Sequence, residues 1–571
     1  MQETAQTKPK LHPAPDIGDI LFLFVIFIPL IVRPTLLFLD GSTGWHLTTG
    51  EYVLNHMQVP HQDLFTYATA ADIGIPDKSW VAYEWLSDAI MALLVRIGGL
   101  NMVAVAVSCA IGYMFMMLYE RCRKEGCHFL IVLALCIVGA LVSAMHWLVR
   151  PHIFTFFGIL IFSSALEDYY RRTISSTRLL VILSLYMLVW VNSHPAFIVG
   201  FVLIGIYLAC SVCSAIYYGA GAKRQHYVDS AKTFLMALGA TFVASLINPN
   251  GLVLYQYIAH YLKGSSVLAA TDEFLSPVFK GGLHPTCLEF LFAALIVGLA
   301  ISRSRLSFPR LLCCIAFAHL ALSAVRNMPL FTIIVLPALA QLFANPRLSS
   351  SEESEEEHSK WWQGFVAKWK RIGAGIDDEE WRCKMHLIPI FCAIFFSIAA
   401  IMGGKIAGTP VLESGFDPIN KPTKTLDYLK DAEARGKLKA ERGFNYDNWG
   451  GYINWKLGTP VFIDDRADFY GEKYYARYSI IVQTLSMPKG QRGWLDWLAK
   501  DNIQWVLVPK NSLLAQALPR QDGWKIESED PGSVLIVHQK DYPPIDESQF
   551  AGADKRADEA TAKQKSPEQE H

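Results

Sequence analysis

The chain has 571 residues, of which 52% are hydrophobic and only 18% are charged, and its formal net charge is −1. Soluble domains carry about 25% charged residues, so this composition excludes a soluble enzyme and an intrinsically disordered chain. A nucleic-acid binder is excluded as well, because no basic excess is available to pair with backbone phosphates. The mean hydropathy of +0.26 predicts a membrane protein instead.

Most apolar residues lie before residue 403, in runs near the length of about 20 residues that a helix needs to cross a bilayer. We therefore predict a polytopic α-helical membrane domain over residues 18–402, with about eleven transmembrane helices. Residues 85–98 are amphipathic and are predicted to lie in the membrane interface. The predicted spans are 18–39, 100–119, 129–147, 152–166, 179–191, 197–217, 232–247, 286–302, 311–324, 329–343 and 386–402.

Lys and Arg are concentrated in every second connection between these spans, as in Arg121-Cys-Arg-Lys124. The positive-inside rule therefore places residues 1–17 and the long loop 344–385 in the cytoplasm. The first outer loop, residues 40–99, and everything after residue 403 then lie on the far side of the membrane.

Residues 403–540 are predicted to form an extracytoplasmic α/β domain, because helical stretches near 423–440 and 491–500 alternate with apolar, strand-like runs. Residues 541–571 are rich in Lys, Glu, Asp and Ala, and we predict a disordered tail there. The strand-like runs are 460–463, 504–508 and 533–537.

A dense polar stretch follows the first of these runs. Asp464, Arg466 and Asp468 lie within five positions, and we predict that they form one coupled cluster at the end of a sheet. Two interpretations stay open, a salt-bridge cluster that closes the turn and a binding site. Asp464 and Asp468 could also hold a divalent cation, although their spacing is not diagnostic of one.

The distinctive polar residues of the membrane domain collect in the predicted outer loops. A partly desolvated carboxylate at the mouth of a span is a candidate general base, and ionisable groups at span ends indicate a functional site. Each candidate also has a structural interpretation, such as a helix-end carboxylate, a structural histidine or a snorkelling arginine. The candidate site residues are Asp40, His46, Asp63, Glu84, Arg150, His152, His194 and Arg326.

Several of these short patterns together resemble the GT-C superfamily of membrane glycosyltransferases, and more narrowly a bacterial family within it. The resemblance covers most of the chain. The patterns that carry it are Asp40…Trp45-His46, Pro60…Asp63, Trp80…Glu84-Trp85, Arg150-Pro-His152 and Gly450-Gly…Asp464…Arg466-Ala-Asp468.

The resemblance implies a sugar donor carried on a polyprenyl phosphate and an extracytoplasmic acceptor, which could be a glycan, a lipid or a protein. It also implies a bacterial inner (plasma) membrane protein of the cell envelope. An acidic residue in the first outer loop is the base or binds a metal in such enzymes, and only Asp40 fits that position. The chain lacks the Trp-Trp-Asp motif of oligosaccharyltransferases, so transfer to Asn sequons is not expected.

We predict a single displacement at the anomeric carbon, in which Asp40 takes the proton of an acceptor hydroxyl. Arg150 and Arg326 are the candidates for the anionic lipid phosphate, because a planar guanidinium can bind it bidentately. His152 or His194 would add a hydrogen bond to that phosphate. Two carboxylates and one further histidine would orient sugar or acceptor hydroxyls, namely Asp63, Glu84 and His46. No cofactor is required by this scheme, and a divalent cation is left open.

Two other classes of function stay open at this stage. A non-catalytic scaffold or polysaccharide-assembly subunit would keep the fold, and the absence of a paired acidic motif favours it. A transporter of lipid-linked glycans should show polar residues at mid-span and repeated halves, whereas this chain shows polar residues at span ends.

Overall fold

In a computed structural model, the chain forms two compact units. The structure describes residues 14–262, 272–344, 383–488 and 490–540, together with short pieces between 364 and 380 and residues 542 and 550. The predicted N-terminal segment lies mostly outside the described residues, as do most of the predicted loop 344–385 and almost all of the predicted tail 541–571.

The first unit, called the helical unit below, comprises the chain through Phe38, Tyr83–His260 and the residues that precede Phe416. It also contains a short antiparallel strand pair, β1 (Lys405–Ile406) and β2 (Thr409–Pro410). The α-helices from the start of the chain to residue 401, outside the segment 39–82, are Ile17–Phe27, Trp85–Arg123, Phe129–Ser143, His152–Tyr170, Ser176–Val191, Ile198–Tyr217, Ala222–Ser245, Val253–Leu262, Leu283–Ile301, Phe308–Ser323, Met328–Ala344 and Leu387–Ile401.

Among the described residues, six helices are long and apolar enough to cross a membrane, as a multi-pass membrane protein requires. They begin at Trp85, Phe129, His152, Pro195, Leu283 and Val325. Shorter apolar helices cover Ile17–Val32, Ser176–Val191, Phe308–Ser323 and Leu387–Ile401. The predicted span 232–247 falls in the second half of helix Ala222–Ser245, whose first turns are polar.

The helix Trp85–Arg123 is broken at Gly98 and Gly99. Gly99 has φ +66°, in the left-handed region that favours glycine, so the two halves have different axes. The break separates the amphipathic stretch 85–98 from the apolar stretch that follows it.

Helix Met328–Ala344 forms the centre of the helical unit, and nearly all its side chains are buried. It packs against five other helices, those that begin at Trp85, Phe129, His152, Leu283 and Phe308. Gly139 permits close contact there, since an added Cβ would lie 2.8 Å from a methyl carbon of Leu336. Packing through small residues is typical of helices in membranes.

The second unit, called the mixed unit below, comprises Leu39–Ala82 and the chain from Phe416 onward. Its four-stranded sheet has the order β3-β4-β6-β5, in which β3 and β4 are parallel and the other neighbours antiparallel. The strands are β3 Gly443–Asn445, β4 Trp505–Pro509, β5 Trp524–Glu529 and β6 Ser533–His538. The α-helices are Thr43–His56, Ala70–Ile73, Thr423–Ala434, Asp447–Leu457, Ala467–Val482, Trp494–Lys500 and Leu513–Ala517.

Residues 39–82, which make up most of the predicted first outer loop, are an integral part of this unit. Trp45, Phe65 and Trp80 belong to the same buried cluster as Phe462 and Tyr470, more than 380 positions later in the chain. These two stretches were predicted to belong to different parts of the molecule, because no local sequence pattern links them.

The apolar run 460–463 does not form a strand. Its backbone groups are instead bonded to side chains, since the amide of Asn445 accepts from Phe462 N (3.0 Å) and donates to Ile463 O (2.8 Å). The hydroxyl of Thr66 donates to Val461 O (3.0 Å). The buried backbone groups of this run therefore have hydrogen-bond partners although the run is not part of a sheet. One isolated bridge, between Thr66 and Val461, pairs it with another backbone segment.

Candidate functional site

Asp40 lies in the turn that starts helix Thr43–His56, in the mixed unit. Its Oδ2 accepts a hydrogen bond from Ser42 N (2.9 Å) and another from the Ser42 hydroxyl. These bonds fix the carboxylate beside the N-terminus of a helix, where the peptide dipoles favour negative charge. Asp40 is half-buried, so the geometry is compatible both with a base and with a structural turn residue.

Polar groups from the C-terminal part of the chain surround the residue after Asp40. A Cβ on Gly41 would lie 2.8 Å from Asn448 Oδ1 and 3.1 Å from Asp465 Oδ2. The Trp45 indole donates to the other oxygen of Asp465 (3.1 Å). The buried Lys421 ammonium donates to Asn448 O (2.7 Å) and Oδ1 (2.9 Å). We call Asp40, Lys421, Asn448 and Asp465 the Asp40 group.

Close glycine packing holds the Asp40 group together. Helix Thr43–His56 crosses helix Asp447–Leu457 so tightly that a Cβ on Gly44 would lie 2.2 Å from the backbone of Gly451. Likewise, a Cβ on Gly450 would lie 2.1 Å from Ile463 O. The Gly450-Gly451 pair thus brings helix 447–457 against both the outer loop and the polar stretch after Ile463.

Asp464 and Arg466 form a buried ion pair in the mixed unit. Arg466 Nε donates to Asp464 Oδ1 (2.9 Å) and Nη2 to Oδ2 (2.7 Å), while Tyr470 OH donates to Oδ2 (3.0 Å). Arg466 Nη2 also donates to Asp63 Oδ1 (2.7 Å). The side chains of both carboxylates have no exposed surface, and that of Arg466 is 5% exposed. Burial alone would lower the pKa of Arg466, but the two carboxylates outweigh this effect and raise that pKa well above its usual value.

This geometry revises the predicted cluster of Asp464, Arg466 and Asp468. Asp63, assigned to substrate in the sequence analysis, supplies a second carboxylate to Arg466, and its Oδ2 accepts from Thr66 N (2.9 Å). Asp468 lies half-buried in the first turn of helix Ala467–Val482. Both oxygens of Asp464 accept from the guanidinium, so Asp63 and Asp464 are both carboxylate partners of Arg466.

His46 is buried on helix Thr43–His56, and its ring centroid lies 3.7 Å from that of Trp45. The ring of His46 is therefore packed against the Trp45 indole.

In the helical unit, Arg150 and Arg326 both contact one short turn, Asp272–Leu275. Arg150 Nη1 donates to Glu273 Oε1 (2.5 Å), and the guanidinium of Arg326 lies 4.6 Å from the centroid of the Phe274 ring. The turn is itself attached to the arginine segment, since Val325 N donates to Leu275 O (2.9 Å). Arg150 and Arg326 are thus brought together although 176 positions separate them.

Two histidines lie beside these arginines. His152 Nε2 is 2.7 Å from the backbone oxygen of His146, so the proton on Nε2 donates to it. His146 in turn lies within electrostatic range of Glu273, Arg150 and Arg326. Arg150, Arg326, His146, His152 and Glu273 are called the arginine group below.

Glu84 and His194 form a separate group in the helical unit. The Thr155 hydroxyl lies 2.8 Å from His194 Nδ1 and accepts from the Trp190 indole (2.9 Å). Ala196 N also donates to Nδ1 (3.3 Å), so the ring proton lies on Nε2, which faces Glu84 Oε1 at 3.7 Å. Hydrogen bonds at Nδ1 therefore orient Nε2 of His194 toward Glu84.

One set of side chains among the described residues has ligand atoms close enough for a metal ion, namely Asp16, Asp19 and His386, with these atoms within 4.8 Å of one another. Asp16 and Asp19 form a reciprocal capping box at the start of helix Ile17–Phe27. Asp19 Oδ1 is bound to His386 Nδ1 (2.8 Å). Burial raises the pKa of Asp16 to about 6. These bonds explain the set as a helix cap.

No family model and no curated protein matches the chain. Solved structures do match. The oligosaccharyltransferase of Archaeoglobus fulgidus in its apo form is 13% identical, with a TM-score of 0.52, over 86% of this chain and 69% of that chain. The chain has the GT-C fold. ArnT from Cupriavidus metallidurans bound to undecaprenyl phosphate is also 13% identical, with a TM-score of 0.42, over 93% of this chain and 98% of that chain. The predicted resemblance to the GT-C superfamily is thus confirmed for the fold.

Several residues of this chain were missed as site candidates. Glu273 and His146 carried no motif, and their relation to Arg150 depends on helix packing. Asp465 stands between Asp464 and Arg466 in sequence but points elsewhere, toward Trp45. Lys421 gave no signal at all, because a single lysine in a polar segment is indistinguishable from a surface residue.

Proposed function

We propose that the protein is a membrane glycosyltransferase that moves a sugar from a polyprenyl-phosphate donor to an extracytoplasmic acceptor. The observation that carries this proposal is the arginine group. Two guanidinium groups contact one turn beside helix ends, and His152 and His146 lie next to Arg150, in a chain with the GT-C fold. This chemistry suits the anionic phosphate that leaves with the lipid.

The donor phosphate would bind by exchange of anions. Glu273 holds Arg150 in the structure, and a phosphate that arrives there would replace this carboxylate as the partner of the guanidinium. Arg326, held over the Phe274 ring, would provide a second contact. His152 would donate to the phosphate once it turns from His146 O. The positive charges of Arg150 and Arg326 would stabilise the phosphate more strongly as the glycosidic bond breaks and negative charge develops on the leaving phosphate.

The acceptor would be activated by the Asp40 group. Ser42 N orients one oxygen of Asp40, and the carboxylate would take the proton of the attacking hydroxyl. Asp465 and Asn448 lie beside the same turn and would hydrogen-bond to other hydroxyls of the acceptor. No metal is needed for this step, because deprotonation and phosphate departure are both assigned to side chains.

The orientation belongs to the same proposal. The N-terminus would be cytoplasmic, and the mixed unit would lie outside a bacterial inner membrane, as the distribution of Lys and Arg predicts. The Asp40 group would then act on the side to which lipid-linked sugars are delivered.

The test is binding of a polyprenyl phosphate to the full chain in lipid nanodiscs. Arg150→Gln and Arg326→Gln should each weaken binding about tenfold or more, because each removes a charge-assisted contact worth roughly 1.5–3 kcal/mol. Glu273→Gln should strengthen binding, because it removes the competing carboxylate. Arg178→Gln, an exposed arginine on helix Ser176–Val191, is the control and should leave binding unchanged. Wild-type binding by both Arg150 and Arg326 variants would contradict the proposal.

A further inference from the structure

A groove of about 570 Å³ lies between helices Ile198–Tyr217 and Ala222–Ser245 of the helical unit. Its walls are mostly apolar, and Val212, Ile216 and Leu235 are among the side chains that line it. Ile216 is 79% exposed and Leu235 is 59% exposed. Apolar side chains that are this exposed on membrane helices indicate a surface that faces lipid tails.

Two cationic side chains, Arg224 and Lys232, line the same groove. They are eight residues apart on one helix, which corresponds to about 12 Å along its axis. None of the side chains that line the groove is acidic. The nearest carboxylate on this helix, Asp229, accepts from Gln225 (2.8 Å) and does not line the groove. An apolar cleft with two positive charges is complementary to an amphiphilic anion.

Aromatic contacts hold the turn between the two helices that line the groove. The rings of Tyr218 and Tyr227 stack at 5.5 Å with an angle of 7°, so they connect the turn between the helices to the second helix. Tyr227 also lies 6.3 Å from Tyr170, the last residue of helix His152–Tyr170. The groove is therefore built before any ligand arrives, which lowers the entropy lost on binding.

The groove is distinct from the arginine group. Arg150 precedes the first residue of helix His152–Tyr170, whereas the groove adjoins its last residue. A helix of 19 residues is about 28 Å long, so nearly the full length of this helix separates Arg150 from the Tyr170 end that adjoins the groove helices.

We propose that this groove is a specific site for an anionic phospholipid. The phosphate would bind Arg224, Lys232 would extend its ammonium along the groove toward the same headgroup, and one acyl chain would lie against Val212, Ile216 and Leu235. Basic pockets between membrane helices recognise anionic headgroups in this way. The proposed orientation assigns the lipid to the cytoplasmic leaflet, but the binding itself does not depend on the proposed function.

The experiment uses the full chain in phosphatidylcholine vesicles that contain a phosphatidylglycerol probe with a photoreactive acyl chain. After irradiation, cross-linked peptides are mapped by mass spectrometry. The cross-links should fall within residues 198–235, and the double variant Arg224→Gln with Lys232→Gln should reduce them at least about tenfold. Val212→Trp, which fills the groove without removing charge, should reduce them similarly. Lys223→Gln is the matched control, since Lys223 lies over the Tyr218 ring (5.4 Å) and does not line the groove.

Unlabelled phosphatidylglycerol should compete with the probe, whereas phosphatidylcholine and inorganic phosphate should not. Equal labelling by a phosphatidylcholine probe would overturn the proposal, as would wild-type labelling of both the double variant and Val212→Trp. Displacement by a polyprenyl phosphate at lower concentrations than by phosphatidylglycerol would also overturn it, because the groove would then belong to the donor lipid.

Discussion

Arg466 shows how carboxylates and aromatic rings can enclose a single guanidinium in the fold. Its guanidinium is shared by Asp464 and Asp63, and it lies within 6.0 Å of five aromatic ring centroids. These rings belong to Trp45, Phe65, Trp80, Phe469 and Tyr470. Removal of this guanidinium would leave Asp464 buried without its cationic partner, and would leave Asp63 with Lys78 Nζ at 3.6 Å.

Arg466→Ala should therefore destabilise the mixed unit by about 3–5 kcal/mol, the range for breaking a buried ion pair. The measurement is the thermal midpoint and folded yield of the full chain. Arg435→Ala is the control, because Arg435 and Asp431 form an exposed pair (3.6 Å) that should contribute less than about 1 kcal/mol. Normal stability of the Arg466 variant would return this cluster to the binding-site interpretation.

At the residue scale, the sequence predicted what lies close in the chain and missed what lies far. Asp464 and Arg466 are two positions apart, so their relation was visible. Asp63 is 403 positions from Arg466, and Glu273 is 123 positions from Arg150. No local sequence pattern predicts either contact. The same limit hid Asp465 and Lys421, whose surroundings depend on how two helices cross.

At the scale of elements, the crossing of helices Thr43–His56 and Asp447–Leu457 sets the geometry of the Asp40 group. Glycines make the approach possible, because any Cβ on Gly44 would overlap the Gly451 backbone. The sequence showed these glycines but not their contact. Apolar helices were predictable from the sequence, because apolarity and length are local properties. The run 460–463 has the composition of a strand, but its backbone is hydrogen-bonded to the Asn445 side chain instead of a neighbouring strand.

Gly44→Ala should destabilise the fold by about 1–3 kcal/mol or more, because backbone atoms cannot move aside as a flexible side chain would. Folded yield and the thermal midpoint are the measurements. Gly205→Ala is the matched control, since Gly205 also lies within a helix but a Cβ there would meet nothing within 4 Å. If both variants behaved as wild type, the close crossing would be wrong.

The shared core of the mixed unit predicts how a C-terminal fragment of the chain behaves when it is expressed alone. Residues 403–540 expressed alone lack Trp45, Phe65 and Trp80, which belong to the buried core. We expect this fragment to be unfolded or aggregated, as judged by amide proton dispersion in an NMR spectrum. Joining residues 39–82 to it through a flexible linker should restore dispersion. A folded fragment without the loop would contradict the shared core.

At the scale of the whole molecule, the distribution of Lys and Arg predicts an odd number of crossings between the two ends of the chain. Epitope tags after residue 360 and after residue 571 test this in intact and permeabilised cells. We expect external protease to remove the C-terminal tag from cells with a permeabilised outer envelope and to spare the tag at 360. Protection of both tags, or loss of both, would refute this orientation.

The most direct test of the proposed function is transfer of a labelled sugar from a polyprenyl-phosphate donor to endogenous acceptors, in membranes that contain matched amounts of wild type or Asp40→Asn. The asparagine keeps an oxygen for Ser42 N but cannot accept the proton, so transfer should fall by about 10²- to 10⁴-fold while protein yield stays normal. Ser42→Ala, which removes only the hydroxyl bond, should retain most activity. Wild-type transfer by Asp40→Asn would contradict the role of Asp40 as the base, and no transfer by the wild-type protein would indicate a non-catalytic scaffold instead.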